Sequence, residues 1–151
     1  METEEIRTLL GRTPLFQGLS ETSLTSIAQS ASLQEFEAET SIYEHGGPAR
    51  ELFVLVEGEV ALRLFTGSGE PYELERRRSR DIFGEAAIWD DGPRMVTAQT
   101  TEPTSVLVIP RETLEQLLGP ESRFVKTLLA HLAGVMRRAS ERRIRQADNM
   151  I

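Results

Sequence analysis

Cysteine is absent from this chain, and that gap removes disulfides, thiolate nucleophiles and thiolate metal sites together. Histidine is scarce as well: His45 and His131 are the only two, too few for a histidine-rich metal cluster, so no metal is expected. No apolar run approaches the ~18 residues that a bilayer span requires. The opening METEEIRTLL is acidic and lacks an apolar signal core, which makes the cytoplasm the expected compartment and excludes a membrane partner. Without a thiol, a histidine pair or a spaced nucleophile and base, an enzyme is not expected either.

What remains fits one globular domain: 151 residues, 39% of them apolar and 27% charged. The net charge of −7 hides an asymmetry. Residues 1–120 hold 21 acidic side chains against 10 arginines, whereas residues 121–151 hold 3 acidic against 7 basic. An acidic body repels nucleic acid and anionic membranes over most of its surface. A fixed guanidinium inside that body is therefore a local anion site, while the basic tail reads as a solvated helix face.

The hydrophobic period changes twice along the chain. Ser20 followed by Glu21, Leu24, Ile27 and Ala28 predicts a capped short helix. From Leu33 to Pro110 seven short segments follow, LQEFEA, TSIYEH, ELFVLVEG, EVALRLFT, PYELERRR, RMVTAQTT and SVLVIP, most of them alternating and bounded by Gly or Pro. That series predicts a sandwich or barrel, with Gly58 as a tight hairpin position and Pro71 at a strand start. RETLEQLL then predicts a short helix stopped by Gly119-Pro120, and Ser122 caps a run to about Asn149. This last helix would be ~40 Å long, longer than a small barrel can cover. Val125, Leu128, Leu132, Val135 and Ala139 form a heptad seam along it, flanked by Leu129 and Met136. The first two turns are expected on the barrel, and the remainder against the same helix of a second chain.

The segment that carries chemistry is Asp81 to Arg94. It breaks the strand series with a short helical piece, Glu85 to Trp89, preceded by Gly84 and closed by Asp-Gly-Pro. Unpaired N–H groups at the start of such a piece favour an anion. Gly84 permits close approach, Ala86 and Ala87 keep the mouth open, and Arg94 offers a planar charged fork for phosphate oxygens. Glu85 repels phosphate but suits a hydroxyl donor, so the pair describes a phosphorylated sugar. The simpler alternative is that Glu85 and Arg94 pair with each other across a turn.

Phe83-Gly84-Glu85, seven residues and then Pro93-Arg94 resemble the phosphate-binding cassette of the cyclic nucleotide-binding domain family. The PLF-x-GLS lead-in and the stretch Leu52 to Val60 extend the resemblance from about Thr13 to the final helix. It implies a mainly β, small jelly-roll barrel (a double-stranded β-helix) with short N-terminal and cassette helices and a long C-terminal helix. On that division residues 1–121 are the nucleotide-binding barrel with its N-terminal helix, and residues 122–151 a lid or dimerisation helix. Glu85 would accept from the ribose 2′-OH, and Arg94 with the amides of Ala86 and Ala87 would hold the cyclic phosphate.

Two small residues follow the cassette arginine in the family, where this chain has Met95 and Val96. Met can turn aside, but Val is stiff and adds bulk under the sugar. No hydroxyl stands at position 95, which in the family's terms favours cyclic AMP over cyclic GMP. Ser140 falls where the catabolite activator's dimer helix reaches adenine, although an exposed serine is the simpler reading. Trp89 is expected in the core or a lid and His45 in a loop, while Arg76-Arg77-Arg78 with Arg80 is either a solvated strand edge or a run that raises the positive potential near an incoming anion. The function implied is a regulatory cyclic nucleotide module that signals through its C-terminal helix as a homodimer. The alternatives are a nucleotide-free dimerisation or protein-interaction module, or the sensor half of a longer transcription regulator, channel or signalling enzyme. Ending at Ile151 without a recognition helix, the chain is not expected to contact DNA.

Overall fold

The computed structural model describes residues 1–149; Met150 and Ile151, the end of the helix expected over 122–151, lie outside the described residues. Eight antiparallel strands form two four-stranded sheets: β1 (Ser32–Phe36), β2 (Ser41–Tyr43), β3 (Glu51–Glu57), β4 (Val60–Phe65), β5 (Pro71–Arg77), β6 (Ile82–Phe83), β7 (Thr97–Thr100) and β8 (Thr104–Pro110). Their orders are β1-β8-β3-β6 and β2-β7-β4-β5, a jelly-roll sandwich. Two helices precede the sheets, α1 (Thr3–Gly11) and α2 (Glu21–Ser30), and two follow, α3 (Arg111–Glu115) and α4 (Ser122–Asn149).

The least alternating segments occupy the centre of the first sheet, because both of their faces are covered. On β3 and β8, Leu52, Val54, Leu107 and Ile109 turn to a core shared with the helices. Phe53, Leu55, Val106 and Val108 turn to the interior between the sheets. Ile6 and Leu10 of α1, Ile27 and Ala28 of α2, Leu114 of α3 and Phe124 and Leu128 of α4 complete the helical side. Phe124 stacks on Phe16 with ring centroids 6.1 Å apart, which fixes the start of α4 to the turn at Pro14–Phe16.

Several expectations are corrected. Gly58 is not a hairpin residue: β3 and β4 belong to different sheets, so it turns the chain from one sheet into the other. Its φ of +105° and the closeness of Pro103 and Thr104 leave no room for a Cβ there. The hairpin in this region joins β4 to β5, closed by Thr66 N–H donating to the Glu70 carbonyl at 2.8 Å. The strand expected from Arg94 begins at Thr97, and α1 and β6 are elements that the pattern did not separate. Ser20 caps α2 as expected, accepting from Ser23 N–H, but Ser122 lies inside α4. The Glu121 carbonyl accepts the first bond of that helix instead, and its carboxylate takes the hydroxyls of Ser20 and Ser23 at 2.9 and 2.7 Å.

The long helix also lies differently. Leu128 is buried, and Leu132, Val135 and Ala139 remain partly covered by the chain's own barrel well beyond two turns. The exposed apolar positions of α4 are Leu129, Met136 and Ile144, on the neighbouring stripe.

Candidate functional site

Arg94 is delivered to the interior by its own backbone. Its N–H donates to the Gly47 carbonyl and its carbonyl accepts from Gly46 N–H, both at 2.8 Å, while Pro93 bridges to Pro48. Residues 93–96 are thus held against the loop after β2, and the side chain turns inward until only 4% of the residue is exposed. Nη1 donates to the Gly84 carbonyl at 3.0 Å and Nη2 to the Glu51 carbonyl at 2.8 Å. The guanidinium carbon lies 4.1 Å from the centre of the Tyr43 ring. Nε is buried without a partner.

Gly84 makes this arrangement possible. Its φ is +77°, and a Cβ would stand 2.8 Å from Nη1 of Arg94 and 3.1 Å from Phe53. Burial draws the Arg94 pKa down from its usual value, against the opposing pull of Tyr43, Glu51 and Glu85. The same burial pushes the Tyr43 phenol up to about 12. Among the described residues no carboxylate pairs with Arg94, so a permanent cation sits in low dielectric with only carbonyl dipoles and an aromatic face around it.

Glu85 does not pair with Arg94. It opens the short 3-10 turn Glu85–Ile88, and its Oε1 lies 2.7 Å from Nε2 of His131 on α4. Burial alone would raise this carboxyl; the histidine and the turn's own amide outweigh it and hold the pKa below the ordinary value. A second carboxylate ties α4 to the barrel. Glu75 of β5 accepts from Arg77 at 2.7 Å and, across to the helix, from Arg138 at 2.9 Å and Arg142 at 3.1 Å. Despite the cost of burial, those arginines draw its pKa from 4.5 to about 2.

Tyr43, Glu75, Arg77, Gly84, Glu85, Arg94 and Arg142 border one cavity of about 200 Å³. Of the nine residues expected at the site, Gly84, Glu85, Ala86, Arg94, Met95 and Val96 line it. Phe83 lies beneath, stacked on Phe53 at 5.1 Å, and Pro93 faces the outer loop. Ala87 is fully buried, and its amide donates to the Gly84 carbonyl at 3.2 Å, so the structure does not present it to the cavity. Met95 has turned to solvent at 68% exposure, while Val96 is partly buried against the core between the sheets. Trp89 is neither core nor closed lid but 44% exposed at the rim. Arg76 pairs with Glu73 and Glu59, Arg77 with Glu75 and Arg78 with Glu59, and His45 is an exposed loop residue.

Tyr43, Glu75, Val135 and Arg142 line the cavity, and His131 bonds Glu85 from outside it, without having been singled out for the site; Arg77 of the arginine run lines it too. No local spacing links them to the cassette; only the sheet order and the path of α4 do. Among the described residues no group of three metal-ligating side chains is assembled, and no helix is long and apolar enough to cross a membrane.

A buried guanidinium fork beside a carboxylate, set in a small jelly roll, is an arrangement with the charge and hydrogen-bonding groups to receive an anion. The family model described as the cyclic nucleotide-binding domain matches residues 33–120, and the chain belongs to that family. It is 24% identical over 132 residues to a CRP-like cAMP-activated global transcriptional regulator of Mycobacterium tuberculosis, covering 87% of this chain and 59% of the relative. It is 31% identical over 113 residues to a cAMP-dependent protein kinase regulatory subunit of Mycosarcoma maydis, covering 71% of this chain and 21% of that one. The chain therefore spans well under two thirds of the curated relatives it matches. Among solved structures, the sensor domain of the transcriptional regulator DNR from Pseudomonas aeruginosa superposes with a TM-score of 0.82, at 24% identity, covering 92% of this chain and 93% of that one.

The Glu75 knot gives a pH signature. Its folded pKa of about 2 lies below the ordinary 4.5, so its contribution to stability is complete above about pH 4.5 and is lost as pH falls toward 2. Denaturant unfolding over that range should show Glu75→Gln less stable than the parent at pH 7 and with a shallower loss in acid. Equal slopes in the two proteins would contradict the role given to the knot.

Proposed function

We propose that this chain is a regulatory module that binds a cyclic nucleotide, cyclic AMP in preference to cyclic GMP, and transmits binding through α4. The observation that carries the reading is Arg94: a buried, permanently charged guanidinium lining the cavity, without a carboxylate and with Nε unsatisfied. A cyclic phosphate supplies the missing negative charge and hydrogen-bond acceptors. Gly84 gives the ligand close approach to the backbone, the amide of Ala86 joins Arg94 at the phosphate, and Glu85 accepts from the ribose 2′-OH. Met95 offers no hydroxyl to a guanine, which favours adenine.

The cavity explains why α4 would respond. Its 200 Å³ is below the ~300 Å³ at which ordinary ligand pockets begin, and Val135 and Arg142 of α4 form part of its wall. Admitting a nucleotide displaces that wall and strains the Glu75 knot. A ligand that binds the displaced arrangement better shifts the population toward it. Residues 1–121 then act as the binding body and residues 122–151 as the moving part.

Calorimetric titration with each nucleotide tests this directly. Cyclic AMP should bind more tightly than cyclic GMP, and Arg94→Ala should weaken cyclic AMP on the order of 100-fold while circular dichroism shows the fold retained. No heat at millimolar nucleotide, or equal affinity in the folded variant, would contradict it.

A second feature favours association of two copies. Leu129, Met136 and Ile144 stand 61%, 70% and 61% exposed along one side of α4, an apolar stripe that the described residues leave open. A symmetric partner helix covers such a stripe most simply. Sedimentation should show a dimer that Leu129→Glu with Met136→Glu converts to a monomer; a monomeric parent at tens of micromolar would remove this part of the reading.

A further inference from the structure

His131 is a histidine on α4, 46 positions from Glu85 of the cassette and outside its motif. Its Nε2 meets Oε1 of Glu85 at 2.7 Å, and the two side chains are only 26% and 12% exposed. The direction of approach matters. Glu85 lines the cavity with Arg94, whereas His131 lines a different one of about 380 Å³, bordered by Leu15, Arg80, Asp81 and Thr127. The imidazole therefore reaches the carboxylate from outside the nucleotide cavity. A carboxylate has two oxygens and about four lone-pair sites, so one bond to Oε1 leaves Oε2 able to accept another.

We infer that His131 is a positioning residue for sugar recognition, holding one oxygen of Glu85 so that the other is presented to a ribose 2′-hydroxyl. This rests on the nucleotide reading above and extends it. Without that bond the carboxylate keeps only the turn's own amide, and its hydrogen bond to the sugar loses part of its direction. Held, the carboxylate is fixed by a residue of α4 that follows the packed anchor of Phe124 and Leu128. The sugar is therefore read well while that end of the helix stays docked, even as Val135 and Arg142 further along give way. Arg77 of β5 and Arg94 act on Glu85 only at longer range, without a hydrogen bond to it. His131 is the one side chain from another element that bonds this carboxylate among the described residues. The opposite possibility, a latch that competes with the nucleotide for Glu85, requires His131 to stand within the nucleotide cavity, and it borders the other one.

The test compares cyclic AMP with its 2′-deoxy analogue on the whole chain. A hydrogen bond to a charged acceptor is worth roughly 10-fold or more in affinity, and the parent should prefer the ribose form by about that factor. In His131→Ala the preference should fall toward one through weaker binding of cyclic AMP, with the 2′-deoxy analogue nearly unchanged. His131→Gln, whose amide can donate to the same oxygen, should restore part of it. His131→Leu, which keeps bulk without a donor, should behave as the alanine variant does and serves if that variant loses its fold. A loss shared equally by both ligands, an unchanged preference, or tighter binding of cyclic AMP overturns the inference and leaves the nucleotide reading intact. A parent that binds neither ligand overturns the nucleotide reading, and the inference with it.

Discussion

An arginine buried without a carboxylate is the constraint around which this molecule is arranged. Leaving such a cation unpaired in low dielectric lowers stability, and the chain does little to offset the loss. It offers two backbone carbonyls and the faces of Tyr43 and Phe53, but it directs its acidic side chains elsewhere. Glu85, the nearest carboxylate in the cassette, is held by His131. On the proposed reading, that charge is kept for an anion that arrives from outside, in a body whose overall charge would otherwise repel one.

The same arrangement connects the pocket to the helix that closes it. Two acidic residues of the barrel, Glu75 and Glu85, are satisfied by Arg138, Arg142 and His131, all from α4. Two of the cavity's wall residues, Val135 and Arg142, come from that helix too. Contact between ligand site and helix is therefore electrostatic as well as steric. The hydrophobic anchor lies near the start of α4, at Phe124 and Leu128, which leaves the distal turns held mainly by ion pairs and hydrogen bonds. A helix fixed by packing at one end and by charge at the other is suited to pivot.

How much of this could be read from the amino-acid order follows from the range of the interactions. The strand series was legible because Gly and Pro punctuate it, and the cassette because its residues are close in sequence. β6 escaped because two residues, Ile82 and Phe83, show no period of their own. Gly58 marked a turn correctly, but whether a turn joins neighbours in one sheet or crosses to the other is decided by pairing far along the chain. His131 was visible only as a histidine too isolated to bind metal; its contact with Glu85 depends on where a 28-residue helix lies. The seam of α4 was legible as apolar, but its spacing could not show that Leu128 is buried in this chain's own core and that Leu132, Val135 and Ala139 are partly covered.

The central claim is that the guanidinium of Arg94 receives a ring-closed phosphate, and a crystal structure of the chain with cyclic AMP examines it most directly. The account predicts phosphate oxygens within hydrogen-bonding distance of the Arg94 side chain and the Ala86 amide, with the ribose turned to Glu85. A nucleotide bound elsewhere on the surface, with Arg94 still engaged only by the carbonyls of Gly84 and Glu51, would contradict it.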